Sequence, residues 1–310
     1  MLSCFSSQRL TLVLVGLALA TTSFFVRPVP GVVILDSAWR KHGGNADNKP
    51  AGFAKHIALA NQPQFRATIQ LVGESAGASG TWIGNDAKHG YVLTAGHNFT
   101  KGGNATEYAY VATDGTTYKG VELIVHPAWN GDNNTRTGYD FAIVVLDRPV
   151  RGVGQPALLY AGSDEMDRLC TIVGYGMRGT GSSGEQADYY DDDNPKAAAQ
   201  NLIENVTEAV KPLPSDEDGG NYLGIDFDKE DGSAKNTYGD PTPVNEYEGA
   251  LGSGDSGGSC WMEYDRQWCV IGVNANGDTS TYGAVSYFAR VSGEVGWIKS
   301  VFPGAKFIGN

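Results

Sequence analysis

Gly254-Asp255-Ser256-Gly257-Gly258 lies towards the C-terminal end of the chain and frames a serine with glycines. A serine hydroxyl attacks a carbonyl only when a base takes its proton, and the resulting intermediate puts negative charge on an oxygen that needs backbone N–H donors nearby. Glycines on both sides let the backbone aim such donors at one point. In a chain with 42 glycines these five residues alone are an ordinary turn, so the rest of the sequence must supply a base and a group to orient it. Five histidines compete. His42 and His56 fall in an irregular N-terminal stretch, His89 in the polar turn Asn85–Gly90, and His126 opens a His-Pro turn. His97 closes Tyr91-Val-Leu-Thr-Ala-Gly-His97, directly after a strand pattern that would hold its ring in place, and is the candidate base. Asp140 leads into the apolar run Phe141–Leu146, where an unpaired charge is costly and a histidine N–H is a fitting partner.

Chain order separates the folds that carry these groups. Gly-x-Ser-x-Gly also marks the nucleophile elbow of α/β-hydrolases, but there the histidine follows the serine, and no histidine lies beyond position 126. The subtilisin order needs an aspartate ahead of the histidine, and between 65 and 97 only Asp86 is available, in a turn. His97, then Asp140, then Ser256 is the chymotrypsin order. Leu93-Thr-Ala-Gly-His97, His126-Pro127 followed by Asp140-Phe-Ala-Ile143, Val173-Gly-Tyr-Gly176, Gly254–Gly258, Gly272-Val273 and Phe288-Ala-Arg-Val291 together resemble the landmarks of the trypsin/chymotrypsin-like serine protease family. The likeness runs over residues 64–304 and is strongest to secreted bacterial members.

The resemblance implies an all-β protein of two antiparallel six-stranded β-barrels, one over 64–155 and one over 156–290, with a C-terminal α-helix at 291–304. It implies a serine endopeptidase acting on protein or peptide substrates through an acyl-enzyme, with His97, Asp140 and Ser256 as catalytic residues. The backbone N–H groups of Gly254 and Ser256 would form the oxyanion hole, and Ala250, Asn274, Asn276 and Ser286 the specificity pocket. Alanine at 250, where members that cleave after Arg or Lys carry aspartate, leads us to expect an uncharged, medium-sized P1 side chain. Protein inhibitors of such enzymes are further expected partners. The Ile-Val-Gly-Gly that family members carry after a basic residue is absent, Lys55-His56-Ile57 being the nearest sequence, so the partner of Asp255 stays open. A catalytically silent protease-like binding module is the alternative reading.

The rest of the chain agrees with an all-β reading. Phe65–Val72, Gly80–Gly84, Tyr91–Thr94, Tyr108–Val111, Gly120–Val125 and Phe141–Leu146 are short β-branched or apolar runs between turn residues, and Leu169–Val173, Cys269–Val273 and Ala284–Ala289 form a second set. Ala197–Val206 has helix-forming composition but sits among strands. Residues 177–195 and 211–249 read as long surface loops. Val295, Trp297, Ile298 and Val301 fall at helical spacing before Pro303, which predicts one closing helix. Gly174-Tyr-Gly-Met-Arg-Gly179 matches a dinucleotide fingerprint, but Thr180-Gly-Ser-Ser-Gly184 follows where a helix should open.

Charge and compartment complete the reading. Lys and Arg total 23 against 35 Asp and Glu, a net charge of −12 that argues against nucleic acid as a partner. Leu10–Ala20 is an apolar run of signal-peptide length ending in a small-x-small pattern, so residues 1–20 are expected to be a cleaved export signal and the protein secreted or periplasmic, without a stable membrane anchor. Residues 21–63 read as a propeptide or an N-terminal arm. Loss of the signal leaves Cys170, Cys260 and Cys269; Cys260 and Cys269 flank a polar turn and are expected to form a disulfide across a hairpin, with a Cys170–Cys260 pair left open by spacing. No cofactor or metal site is assigned. Asp191-Asp-Asp193, Asp226, Asp228, Glu246 and Glu248 offer oxygens for calcium, but their spacing matches no EF-hand, and solvated acidic loops are the plainer reading. Asn98, Asn104, Asn133 and Asn205 begin glycosylation sequons; a glycan at Asn98 would crowd the candidate base.

Overall fold

Runs of β-branched and aromatic residues too short for stable helices, closed off by glycine turns, leave the chain to bury its apolar side chains between curved sheets. The computed structural model describes residues 31–74, 77–129, 131, 138–189, 195–209 and 219–309. The expected signal at 1–20, Asp191–Asp193 and the Asn133 sequon lie outside these residues. In chain order the elements begin with strand β1 (Val33–Ile34) and helices α1 (Asp36–Lys41) and α2 (Ala54–Ala60). Next come β2 (Thr68–Gly73), β3 (Gly77–Asn85), β4 (Gly90–Thr94), β5 (Tyr108–Val111), β6 (Thr117–Val125) and β7 (Ala142–Leu146). These six close into a barrel in the order β2-β3-β4-β7-β6-β5. Closure leaves no unpaired edge, and Ile69, Leu71, Val92, Tyr110, Val144 and Leu146 fill the interior.

The second half is built from β8 (Leu158–Tyr160), β9 (Leu169–Gly174), β10 (Gly179–Thr180), β11 (Gly184–Glu185), β12 (Ala197–Leu202), β13 (Asn205–Val206) and β14 (Tyr222–Asp226). β15 (Gly249–Ala250), β16 (Ser259–Tyr264), β17 (Gln267–Gly277) and β18 (Val285–Arg290) follow, then helix α3 (Val295–Val301) and β19 (Phe307–Ile308). Its main sheet runs β12-β9-β16-β17-β18-β14-β13. The two edge strands are consecutive in the chain and joined only by Ile203 and Glu204, so the sheet curls into a half-barrel that the chain itself seams, with Glu204 N–H donating to Gly224 O at 3.0 Å. The expected two-barrel architecture with a C-terminal helix is present, the second barrel curled rather than closed by a continuous ladder.

Three local expectations change, and one stretch left open resolves. Ala197–Leu202 is a strand, because pairing with β9 in a buried sheet outweighs its alanine-rich helix preference. Tyr222–Asp226, read as part of a surface loop, is a fully buried strand; its five residues with a central glycine are too few to stand out beside acidic neighbours. Residues 31–63 of the N-terminal arm are partly helical and packed: Val32, Val33, Ile34 and Leu35 are buried, and β1 pairs with β10 and β15 on the second barrel. The Cys260–Cys269 disulfide does not form, and Cys170, Cys260 and Cys269 are all free, buried thiols. A two-residue turn explains this. Asp265 and Arg266 both have positive φ, the geometry of a tight hairpin, which sets Tyr264 opposite Gln267 and Met262 opposite Cys269, while a bulge puts Cys260 opposite Gly272.

Candidate active site

His97 sits in a single 3-10 turn, Gly96–Asn98, immediately beyond β4, so the closed first barrel fixes where its ring begins. Asp140 lies just ahead of β7, the strand that pairs with β4, which brings the two residues together although 43 positions separate them. The carboxylate holds the histidine twice. Oδ2 accepts from His97 Nδ1 at 2.5 Å and Oδ1 accepts the His97 backbone N–H at 2.8 Å. Asp140 is 5% exposed, so this pairing is the one that its burial demands. With Nδ1–H committed to Asp140, the other ring nitrogen is left free to accept a proton.

Ser256 comes from the second half of the molecule and lines the same cleft as His97. Its main chain is stitched to the first barrel, Ser79 N–H and Asn98 Nδ2 donating to Ser256 O at 2.9 and 3.1 Å. Ser79 Oγ donates to Gly254 O and accepts from Tyr175 N–H, so one small side chain ties β3 both to the turn and to the end of β9. Gly254 and Gly257 have φ of +94° and +79°, and a Cβ at 257 would meet Thr94 Oγ1 at 2.0 Å, so the turn needs glycine there. The N–H groups of Gly254 and Ser256 donate to no acceptor among the described residues. No hydrogen bond joins the Ser256 hydroxyl to His97 among these residues; such contacts are commonly long in unliganded sites and tighten around substrate. Asn98 spends its amide on Thr94 Oγ1 and Ser256 O, which a glycan at that sequon would disrupt.

Asp255, whose partner the sequence left open, is fully buried and accepts three backbone N–H groups: Val32 at 3.0 Å, Gly252 at 2.9 Å and Gly176 at 2.8 Å. Burial pushes its pKa up to about 7, against the downward pull of the three amides. The chain segment that reaches this aspartate is therefore Val32, not Ile57. Its signal in the sequence is the apolar run Val32-Val-Ile-Leu35 directly after Pro30-Gly31. Val32 holds φ +70°, a conformation that a β-branched residue adopts only under constraint. Asp255→Ala leaves three buried donors without acceptors, and chemical denaturation is expected to show a loss of about 3 kcal/mol. A loss below about 1 kcal/mol would mean that the three contacts do not hold the turn.

The cleft encloses about 330 Å³ and is lined by His97, Ser256, Gly254, Leu251, Ala275 and Asn276 among others, with Glu185 on one wall. Glu185 Oε1 already accepts from Ser253 N–H and from the hydroxyls of Ser253 and Ser280. Of the expected specificity residues, Asn276 lines the cleft. Asn274 is buried behind it, its amide donating to Asp255 O and Val173 O. Ser286 Oγ accepts from Leu251 N–H, and Ala250 packs with Val33, Leu35, Ala38 and Phe227.

His56, His89 and His126 have structural partners. His56 is fully buried on α2, where burial lowers its pKa to about 4 and its Nδ1 meets Ala198 O. His89 Nδ1 meets Leu146 O, and His126 pairs with Glu294 at 3.0 Å while stacking on Tyr139, beside Asp140. The dinucleotide fingerprint ends in β10 rather than a helix, and its Gly176 serves Asp255. Of the acidic residues considered for calcium, Glu246 pairs with Lys41 at the surface. Asp226 and Asp228 instead gather with Glu204, which the sequence did not single out because it is a lone glutamate 22 residues away. Burial above all, then Asp226, pushes the pKa of Glu204 up to about 8 and that of Asp228 to about 7.

The family model described as "Trypsin-like peptidase domain" matches residues 78–273, more than half of the chain, and spans His97, Asp140 and Ser256. No curated protein matches the chain significantly.

Proposed function

Because this chain belongs to the trypsin-like peptidase family, we propose that it is a serine endopeptidase that cuts peptide bonds through an acyl-enzyme on Ser256. The observation that carries the reading is the double hold of Asp140 on His97 in the cleft that Ser256 lines. In the proposed cycle the ring nitrogen of His97 facing the cleft takes the Ser256 proton as Oγ bonds to the substrate carbonyl carbon. The carbonyl oxygen gains the charge and is met by the Gly254 and Ser256 N–H groups, which have no competing acceptor among the described residues. His97 then gives its proton to the departing amine, and water repeats the sequence on the acyl-enzyme. Asp140 keeps Nδ1–H in place throughout and stabilises the charged ring.

An uncharged, medium-sized P1 residue is part of the proposal. Leu251, Ala275 and Asn276 line the cleft, and the Glu185 carboxylate is engaged by Ser253 and Ser280. The export signal expected at residues 1–20 supports secretion or a periplasmic location. A fluorophosphonate probe is expected to form a covalent adduct on Ser256, located by mass spectrometry, and a peptide panel to be cut after uncharged residues. No adduct would favour the silent binding module; cleavage chiefly after Arg or Lys would remove the P1 assignment.

A further inference from the structure

The seam of the second barrel carries a site that the proposed peptidase chemistry does not use. Glu204 lies between β12 and β13, Asp226 ends β14, and Asp228 follows two residues later; the curl of the sheet brings one carboxylate oxygen of each within 4.8 Å of the other two. Asp226 is fully buried. Its Oδ2 accepts the N–H groups of Thr237 and Tyr238, at 2.5 and 3.0 Å. Its Oδ1, sealed from solvent, accepts no hydrogen bond among the described residues. A buried acceptor without a partner is rare and costly, and here it belongs to a carboxyl group that stands among two more.

No Lys, Arg or His forms an ion pair with any of the three among the described residues; the nearest lysine in sequence, Lys229, pairs with Asp231. The neighbouring Glu248 is already committed, its two oxygens accepting the N–H groups of Asp228 and Val244. What the cluster lacks is a positive charge that accepts oxygen donors. We propose that Glu204, Asp226 and Asp228 bind a calcium ion that clamps the seam of the second barrel.

The donor chemistry selects the ion. All three donors are carboxylate oxygens, with no nitrogen or sulfur to favour zinc or copper. Oxygens around calcium sit at roughly 2.3–2.6 Å, so any two are at most about 5 Å apart, which the cluster satisfies. Magnesium needs a tighter octahedron at about 2.0–2.1 Å and gives up its waters reluctantly. Water completes the calcium shell on the side of Glu204, the least buried of the three. The ion joins the seam to the segment that runs from Asp228 through Thr237 and Tyr238 to β15 and the Gly254–Gly258 turn, so its effect is to hold that segment against unfolding.

The test uses the full chain carrying Ser256→Ala, which prevents self-digestion, after treatment with EDTA. Millimolar calcium chloride is expected to raise the melting temperature by about 5 °C, and magnesium chloride by much less. Calorimetric titration with calcium is expected to lose one bound ion per chain in Glu204→Gln and in Asp228→Asn, and the thermal shift to vanish with it. Absence of a calcium shift overturns the proposal, as does a shift kept in both variants or matched by magnesium. Should a variant fail to fold, terbium luminescence of the Ser256→Ala chain, sensitised through nearby tyrosines such as Tyr238, replaces it: calcium must displace the emission, and emission that is absent or unaffected by calcium overturns the assignment.

Discussion

Ser256→Ala is expected to lower kcat on a peptide substrate by about 10⁶-fold while leaving KM and the melting temperature nearly unchanged. The size of the loss follows from what the hydroxyl does: without it His97 has no oxygen to activate, and neither Asp140 nor the backbone donors can supply a nucleophile. The small structural effect follows from how the residue is held. Ser256 is anchored through its carbonyl, by Ser79 N–H and Asn98 Nδ2, and both contacts survive in alanine. Among the described residues its side chain makes no hydrogen bond whose loss would strand a buried partner. Steady-state kinetics with thermal unfolding of both proteins checks the prediction, and a variant that keeps more than about 1% of wild-type kcat would place the nucleophile elsewhere.

Asp140→Asn is expected to cost about 10⁴-fold in kcat at neutral pH. Asp140 accepts two hydrogen bonds from the same residue, one from the main chain of His97 and one from its ring, with separate oxygens. An asparagine has one carbonyl oxygen and an NH₂. If the oxygen serves the backbone N–H, the NH₂ faces Nδ1 and drives the ring to the tautomer whose proton points at Ser256, which cannot take the serine proton. If the oxygen serves Nδ1–H, the NH₂ confronts the backbone N–H donor and the turn loses its anchor. Either arrangement disables the base, while the volume at 140 is unchanged. A loss smaller than tenfold would show that another group orients His97.

Much of the site could be read along the chain because each of its members carries a local signature. Ser256 is framed by glycines, His97 ends a strand pattern, and Asp140 opens one, and the backbone geometry behind each signature is local. The expected disulfide failed for a different reason. Only eight residues lie between Cys260 and Cys269, but whether they face each other depends on a two-residue turn and a bulge, and shifting a register by a single position changes every partner. The arm was opaque for a third reason: α1 and α2 span only six and seven residues, too few to display a period, and their packing partners lie far along the chain.

Linear order pointed to one family, because histidine before aspartate before serine fits one barrel arrangement and not the elbow or subtilisin alternatives, and the family match over residues 78–273 agrees with it. Short-range patterning was likewise enough for the strands of the first barrel and the closing helix, but not for Tyr222–Asp226 or the turn between β16 and β17. Contacts among residues distant in sequence were not legible: Val32 donating to Asp255 across 223 positions, Ser79 bracing the nucleophile turn, and Glu204 meeting Asp226 and Asp228 at the seam. Each of these depends on how far a sheet curls and where its edges meet, a property of the whole packed assembly that no local stretch of sequence encodes.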